Sequence, residues 1–128
     1  MFKNARDVLE AWIQGVNKGE TQTLVDLYDN DSVLIPTFSS RILNTKDKKR
    51  EYFEKLGTKK DLAVSLHEKT FIEQDLKNGT FVLNGLYKWS FSIDGEMLDF
   101  EARFTYVVNL TKKNPIQHHH SSQIPRSL

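Results

Sequence analysis

The chain has 128 residues, 38% hydrophobic and 27% charged, with 18 basic and 17 acidic side chains and no cysteine. That length favours one domain spanning 1–128, large enough to bury a core without covalent staples. The charge balance leaves no electrostatic footprint for nucleic acid or an anionic membrane, and the missing thiols exclude disulfides, thiolate zinc sites and cysteine nucleophiles.

The first seven residues lack the apolar stretch of a signal peptide, and no run approaches a membrane span, so the expected location is the cytoplasm. Residues 5 to 16 then read as a helix. Ala5, Val8, Leu9, Trp12, Ile13 and Val16 recur at offsets of three and four, with Asn4 as cap and Gly19 beyond the end. A second, shorter helix is expected from Thr21 to Tyr28, with Leu24, Val25, Leu27 and Tyr28 facing inward. Asp29 to Ser32 is turn chemistry, and Val33 to Ile35 is a short strand that Pro36 pushes towards an edge. A third helix is expected over 46–56, capped by Thr45 and ended by Gly57.

Strand and turn follow. Four strands are expected: Leu62 to Gln74, Thr80 to Ile93, Glu96 to Leu110 and Pro115 to Gln123. Asn78-Gly79 and Asp94-Gly95 are hairpin signals between alternating runs. Helices first and an antiparallel meander afterwards predict an α+β fold with the helices on one face of the sheet.

Alternation sorts the strand residues into two rows. Asp99, Glu101, Arg103 and Thr105 share one face of the third long strand; Leu98, Phe100, Ala102, Phe104 and Tyr106 share the other. Lys88 falls on the less apolar face of the strand before. A polar face carrying Lys88, Glu101 and Arg103 reads either as a solvated surface with weak cross-strand ion pairs or as the lining of a cavity. Lys49 has two readings as well. Its stem lies on the apolar stripe of the third helix with Tyr52, Phe53 and Leu56, so it is either a lysine snorkelling at the helix edge or a cation aimed into a cavity.

His118-His119-His120 admits three readings. Two histidines at alternate strand positions can ligate a metal, but no carboxylate-rich partner motif accompanies them, so no metal is expected. The run followed by Ser121-Ser122 and Ile124-Pro125-Arg126-Ser127 also suggests a purification tag with a protease site. The preferred reading is a natural closing strand. For acid–base chemistry the candidates are Asp99, Glu101, His119 and Tyr28, with none singled out by spacing. No nucleophile motif, phosphate loop or nucleotide fingerprint appears, and no cofactor is expected.

The segment from Asp47 to Leu56, with Arg50 and Tyr52-Phe53-Glu54-Lys55-Leu56, resembles the hub helix of the association domain of calcium/calmodulin-dependent protein kinase II, within the nuclear transport factor 2-like superfamily. Gly85-Leu86-Tyr87-Lys88 resembles the central strand of that domain, Ala102-Arg103 its Thr-Arg, and Ile116 to Ser122 its closing strand with His-x-His. The resemblance implies a cone-shaped fold, three N-terminal helices on a curved, mostly antiparallel sheet, and a pocket on the concave side. Arg103 matches one pocket arginine of the family. Lys88 and Ser121 stand where two others would be, and Lys49 replaces the helix histidine. With Glu101 and His119 these residues form the expected ligand-binding set, suited to a small carboxylate-bearing ligand. The expected function is a small-molecule-binding, self-associating domain, the partner being a further copy of the chain. The alternative is an enzyme of the ketosteroid-isomerase or SnoaL-like kind using a pocket carboxylate. The apolar row Tyr87, Trp89, Phe91, Phe100, Phe104 and Tyr106 adds to the expectation of self-association, provided that the helices take the polar side of the sheet.

Overall fold

The computed structural model describes residues 1–125. Helix α1 (Ala5–Lys18) starts where the Asn4 side chain accepts a hydrogen bond from the Asp7 amide, and ends at Gly19 in the left-handed region, φ 68°. Helix α2 (Thr21–Asp26) follows at once. It stops short of the expected Tyr28 because the sheet captures the chain. The Leu27 carbonyl accepts a hydrogen bond from the Ile116 amide at 2.8 Å, and Tyr28 opens strand β1 (Tyr28–Ile35). The turn chemistry of residues 29–32 survives as an irregularity inside that strand: the Ser32 hydroxyl donates to the Asp29 carbonyl at 2.6 Å, and the pairing register shifts between Tyr28 and Val33.

Helix α3 (Lys46–Leu56) begins at Thr45, whose hydroxyl accepts from the Lys48 amide. The expected strand from Leu62 to Gln74 is two strands, β2 (Lys60–Leu66) and β3 (Ile72–Asp75), separated by a 3₁₀ turn at Glu68–Thr70. A side chain causes the break. The Thr70 hydroxyl donates to the His67 carbonyl and accepts from the Leu86 amide at 2.8 Å, taking the place of a ladder partner. Strands β4 (Thr80–Ile93) and β5 (Glu96–Asn109) form a long hairpin through Asp94 and Gly95, both at positive φ. Strand β6 (Ile116–Gln123) closes the sheet.

The sheet order is β1-β6-β5-β4-β2, with β3 also paired to β4; only β1 and β6 run parallel. The fold is α+β, with helices packed on one face of a curved, mostly antiparallel sheet. His118, His119 and His120 lie within β6, bonded to β1 on one side and β5 on the other. Of the tag reading, Arg126 and Ser127 lie outside the described residues.

The apolar row belongs to the helix side. Val8, Leu9, Trp12 and Val16 of α1 are buried in one core with Tyr87, Trp89, Phe104 and Tyr106, while Phe91 and Phe100 pack against Phe38. The expectation that this row awaits a partner chain is therefore corrected: the amphipathic stripe of α1 needs an apolar face, and this is the one the sheet offers. Each such side chain contributes about 1.5–3 kcal/mol by leaving water. Among the described residues, no helix is long and apolar enough to cross a membrane.

Candidate functional site: a closed polar chain inside the cone

Inward alternation of β6 carries His119 and Ser121 into the aromatic core, where both are buried. His119 stacks on Tyr106, centroids 3.8 Å apart and planes 17° from parallel, and meets Trp12 edge-on. Its Nδ1 is 2.7 Å from the Tyr28 hydroxyl and its Nε2 is 3.2 Å from the Tyr87 hydroxyl. Trp12 Nε1 donates to Tyr28 at 3.0 Å, and Tyr87 donates to Ser121 at 2.7 Å. The Ser121 hydroxyl is in turn hydrogen-bonded to Thr37.

One assignment of protons gives every hydrogen from the indole to Tyr87 an acceptor. The indole can only donate, so the Tyr28 oxygen accepts from it and the Tyr28 hydroxyl donates a hydrogen bond to Nδ1. His119 then carries its proton on Nε2 and donates to Tyr87, which donates to Ser121. Burial holds His119 well below the ordinary histidine range, with His118 and His120 adding to the effect, so the ring is neutral as this chain requires. Burial raises the phenols of Tyr28 and Tyr106 well above their ordinary value for the same reason. Trp89 Nε1 and the Tyr106 hydroxyl are the unpartnered buried polar atoms at this end of the core, among the described residues. The space left between Trp12, Thr37, Tyr52, Tyr87, Trp89 and His119 is about 10 Å³, at the lower limit for one water molecule.

The six residues expected to bind ligand fall in three places. His119 and Ser121 belong to the closed chain. Lys49 is fully buried at another point of the core, where its ammonium donates to the Ser32 carbonyl at 2.9 Å. It neither snorkels nor faces open space, which corrects both readings. Burial lowers its pKa, partly opposed by Asp29. Lys88, Glu101 and Arg103 lie across the sheet, on the face without helices. Lys88 is directly opposite Glu101, whose carboxylate lies 3.6 Å from His67. Arg103 is exposed, over a shallow groove of about 340 Å³ lined with Asn84, Thr105, His120 and Ser122. The expectation of one interior pocket gathering Lys49, Lys88, Glu101 and Arg103 is thus corrected. Asp99 and Glu101, the carboxylate candidates for acid–base work, are both exposed on this same outer face.

Trp12, Thr37 and Tyr87 were not legible as members of the inner chain. They come from α1, the segment after β1, and β4, and only the closed sheet brings them together. Tyr87 carried a partial signal: it is a polar-tipped aromatic in an otherwise apolar row.

A curved sheet wrapped around an amphipathic first helix, with its polar contacts sealed inside, defines a nuclear transport factor 2-like (cystatin-like) domain. The profile of the calcium/calmodulin-dependent protein kinase II association domain matches residues 3–125, and the chain belongs to that family. Among solved structures it is similar to a Xanthomonas campestris protein assigned to the same association domain, at 27% identity and TM-score 0.85, covering 98% of this chain and 91% of that one. It is also similar to a Caulobacter vibrioides protein with a cystatin-like fold (13% identity, TM-score 0.76, 94% and 87% covered). A ketosteroid isomerase-like protein from Erwinia carotovora atroseptica shares the fold at 11% identity and TM-score 0.74, with 94% and 93% covered. No curated protein matches the sequence.

Proposed function

We propose that the chain is a single self-associating domain, and that copies meet through the helix-free face of the sheet. The observation that carries this reading is the outer face of the strands β1, β6, β5, β4 and β3. Val33, His118, Val107 and Val82 are register partners in one continuous row, and Ile35, His120, Thr105, Asn84 and Ile72 form the next. The aliphatic members of the first row are half-buried, on the face opposite the one that α1 covers. Burial lowers the pKa of His118 within that row, aided by His120. A broad sheet face of mixed aliphatic and polar side chains suits a twofold contact, in which the same patch serves both copies. The family's description as an association domain supports the same reading.

The geometry carries self-association further than the enzymatic alternative, which rests on the shared fold. The inner chain is buried, the void beside it is far smaller than a substrate, and the carboxylate candidates Asp99 and Glu101 stand on the outer face. A small carboxylate at the Arg103 groove remains compatible with self-association, because the groove borders the proposed contact.

Light scattering on the purified protein tests the reading. The expected mass at micromolar concentration is at least twice 14.9 kDa. Val107→Asp should return it to the single-chain value while leaving the circular dichroism melt cooperative. A single-chain mass for the parent, or an unchanged mass for the variant, contradicts it.

A further inference from the structure

A second site lies outside the closed chain and away from the outer sheet face. Residues 37–43 leave the edge of the sheet and run beside α3, enclosing a cleft of about 260 Å³. Phe38, Leu43, Tyr52 and Leu56 give it apolar walls. Arg41, Lys48, Lys55 and Lys59 stand around it, against the single acid Glu51. Lys48, Tyr52 and Lys55 recur at helical offsets, so α3 turns one mixed cationic and aromatic stripe towards the cleft, and Lys59 joins it from the turn after the helix.

These cations are not spent on carboxylates. Among the described residues, none of the four has an acidic oxygen within 4.0 Å, whereas Arg6, Arg50, Lys77 and Lys112 all do. Lys48 reaches only the neutral Asn44 side chain, at 3.3 Å. Lys59 is held over the Phe91 ring, 4.4 Å from its centroid, and 5.9 Å from that of Phe38. In a chain whose net charge is only +1, this is a local concentration of unneutralised positive charge around a partly enclosed apolar hollow. Such a hollow focuses the field and offers an apolar body a place to leave water.

The walls are fixed from behind. Phe38 meets Trp89, Phe91 and Phe100 edge-on, with centroid distances of 5.2, 5.5 and 5.8 Å. The Tyr52 hydroxyl accepts a long hydrogen bond from the Phe38 amide, 3.4 Å. The ring that forms the wall is therefore held by the core rather than by loop contacts.

We propose that this cleft binds a small anion carrying a flat apolar body, an aryl carboxylate being the plainest member of the class. The aromatic body stacks between Phe38 and Tyr52, and the carboxylate meets the lysines at the rim. The volume is just under the small end of ordinary ligand pockets, about 300 Å³, which limits the body to one ring or a fused pair. A neutral molecule of the same shape gains the apolar contact but not the charge.

The test is an amide NMR titration of the full chain with naphthoate and, separately, with naphthalenemethanol. Naphthoate should saturate, with shifts centred on Phe38, Leu43, Tyr52 and Lys55; the alcohol should bind more weakly, and raising the salt should weaken only the acid. The double variant Lys48→Gln, Lys55→Gln exchanges two exposed or half-exposed side chains. It should keep the parent melt and weaken naphthoate roughly tenfold, two partly exposed charge contacts together. Failure of naphthoate to bind, equal binding of acid and alcohol, an unchanged affinity in the double variant, or shifts centred on Arg103 would each overturn the assignment. The oligomer mass, measured on the same samples, reports on self-association separately.

Discussion

The Tyr28 hydroxyl lies 2.7 Å from Nδ1 of His119, although the two residues are 91 positions apart in the chain. The contact joins the first strand to the last, and with the Trp12 indole donating to Tyr28 it favours the His119 tautomer protonated on Nε2. Tyr28→Phe keeps the ring but removes the hydroxyl, leaving Trp12 Nε1 and His119 Nδ1 unpaired in the core. The expected loss of stability is about 1–3 kcal/mol, the desolvation cost of orphaned buried groups. Chemical denaturation of parent and variant measures it; a variant as stable as the parent would remove the hydrogen-bonded chain from the account of stability.

Acid should destabilise the fold through the same histidine. His119 is held neutral, its pKa pushed well below the ordinary 6.5, and His118 is shifted in the same direction. Below about pH 6.5 the unfolded chain binds protons that the folded chain refuses, so stability is full above that value and falls as the pH drops. The urea midpoint should be lower at about pH 5 than at about pH 7.5, and His119→Gln should flatten the difference. An identical slope in the variant would assign the acid sensitivity to other groups.

Gly85 is required for space and not for backbone freedom. A methyl group there would stand 2.9 Å from the Phe104 ring and 3.2 Å from the Thr70 hydroxyl, the group that interrupts the strand before β3. Gly85→Ala should cost about 1–3 kcal/mol by overpacking. Thermal melts read this directly; a rise in melting temperature would mean that Phe104 moves aside freely.

Ending the chain after Asn114 removes β6, the strand that bonds both β1 and β5. It also removes His119, Ser121 and Ile116 from the core. The expected result is no cooperative unfolding at all, seen by circular dichroism. A truncated protein with the parent melt would mean that β6 is dispensable, against its position inside the sheet.

Much of the architecture was legible as sequence because its signals are local. The stripe of α1, the caps Asn4 and Thr45 and the Asp94-Gly95 turn act over a few residues, and each lies where the pattern placed it. The family, too, could be read from the order of short matches along the chain. Two boundaries depended on distant partners. Tyr28 joined a strand because Ile116 offers a backbone partner, and the first long strand broke because the Thr70 hydroxyl took a ladder position.

The site was less legible, for one physical reason. Alternation separates the two faces of a strand but carries no label for which face the helices will cover. The residues themselves determined that Lys88, Glu101 and Arg103 lie together, opposite Tyr87, Ala102 and Phe104. Only the docking of Val8, Leu9, Trp12 and Val16 decided that the aromatic face is the inside. Burial followed from that choice. It left Arg103 in solvent, closed His119 into a chain of neutral hydrogen bonds, and turned the cations of α3 towards a cleft that no single segment of the sequence contains.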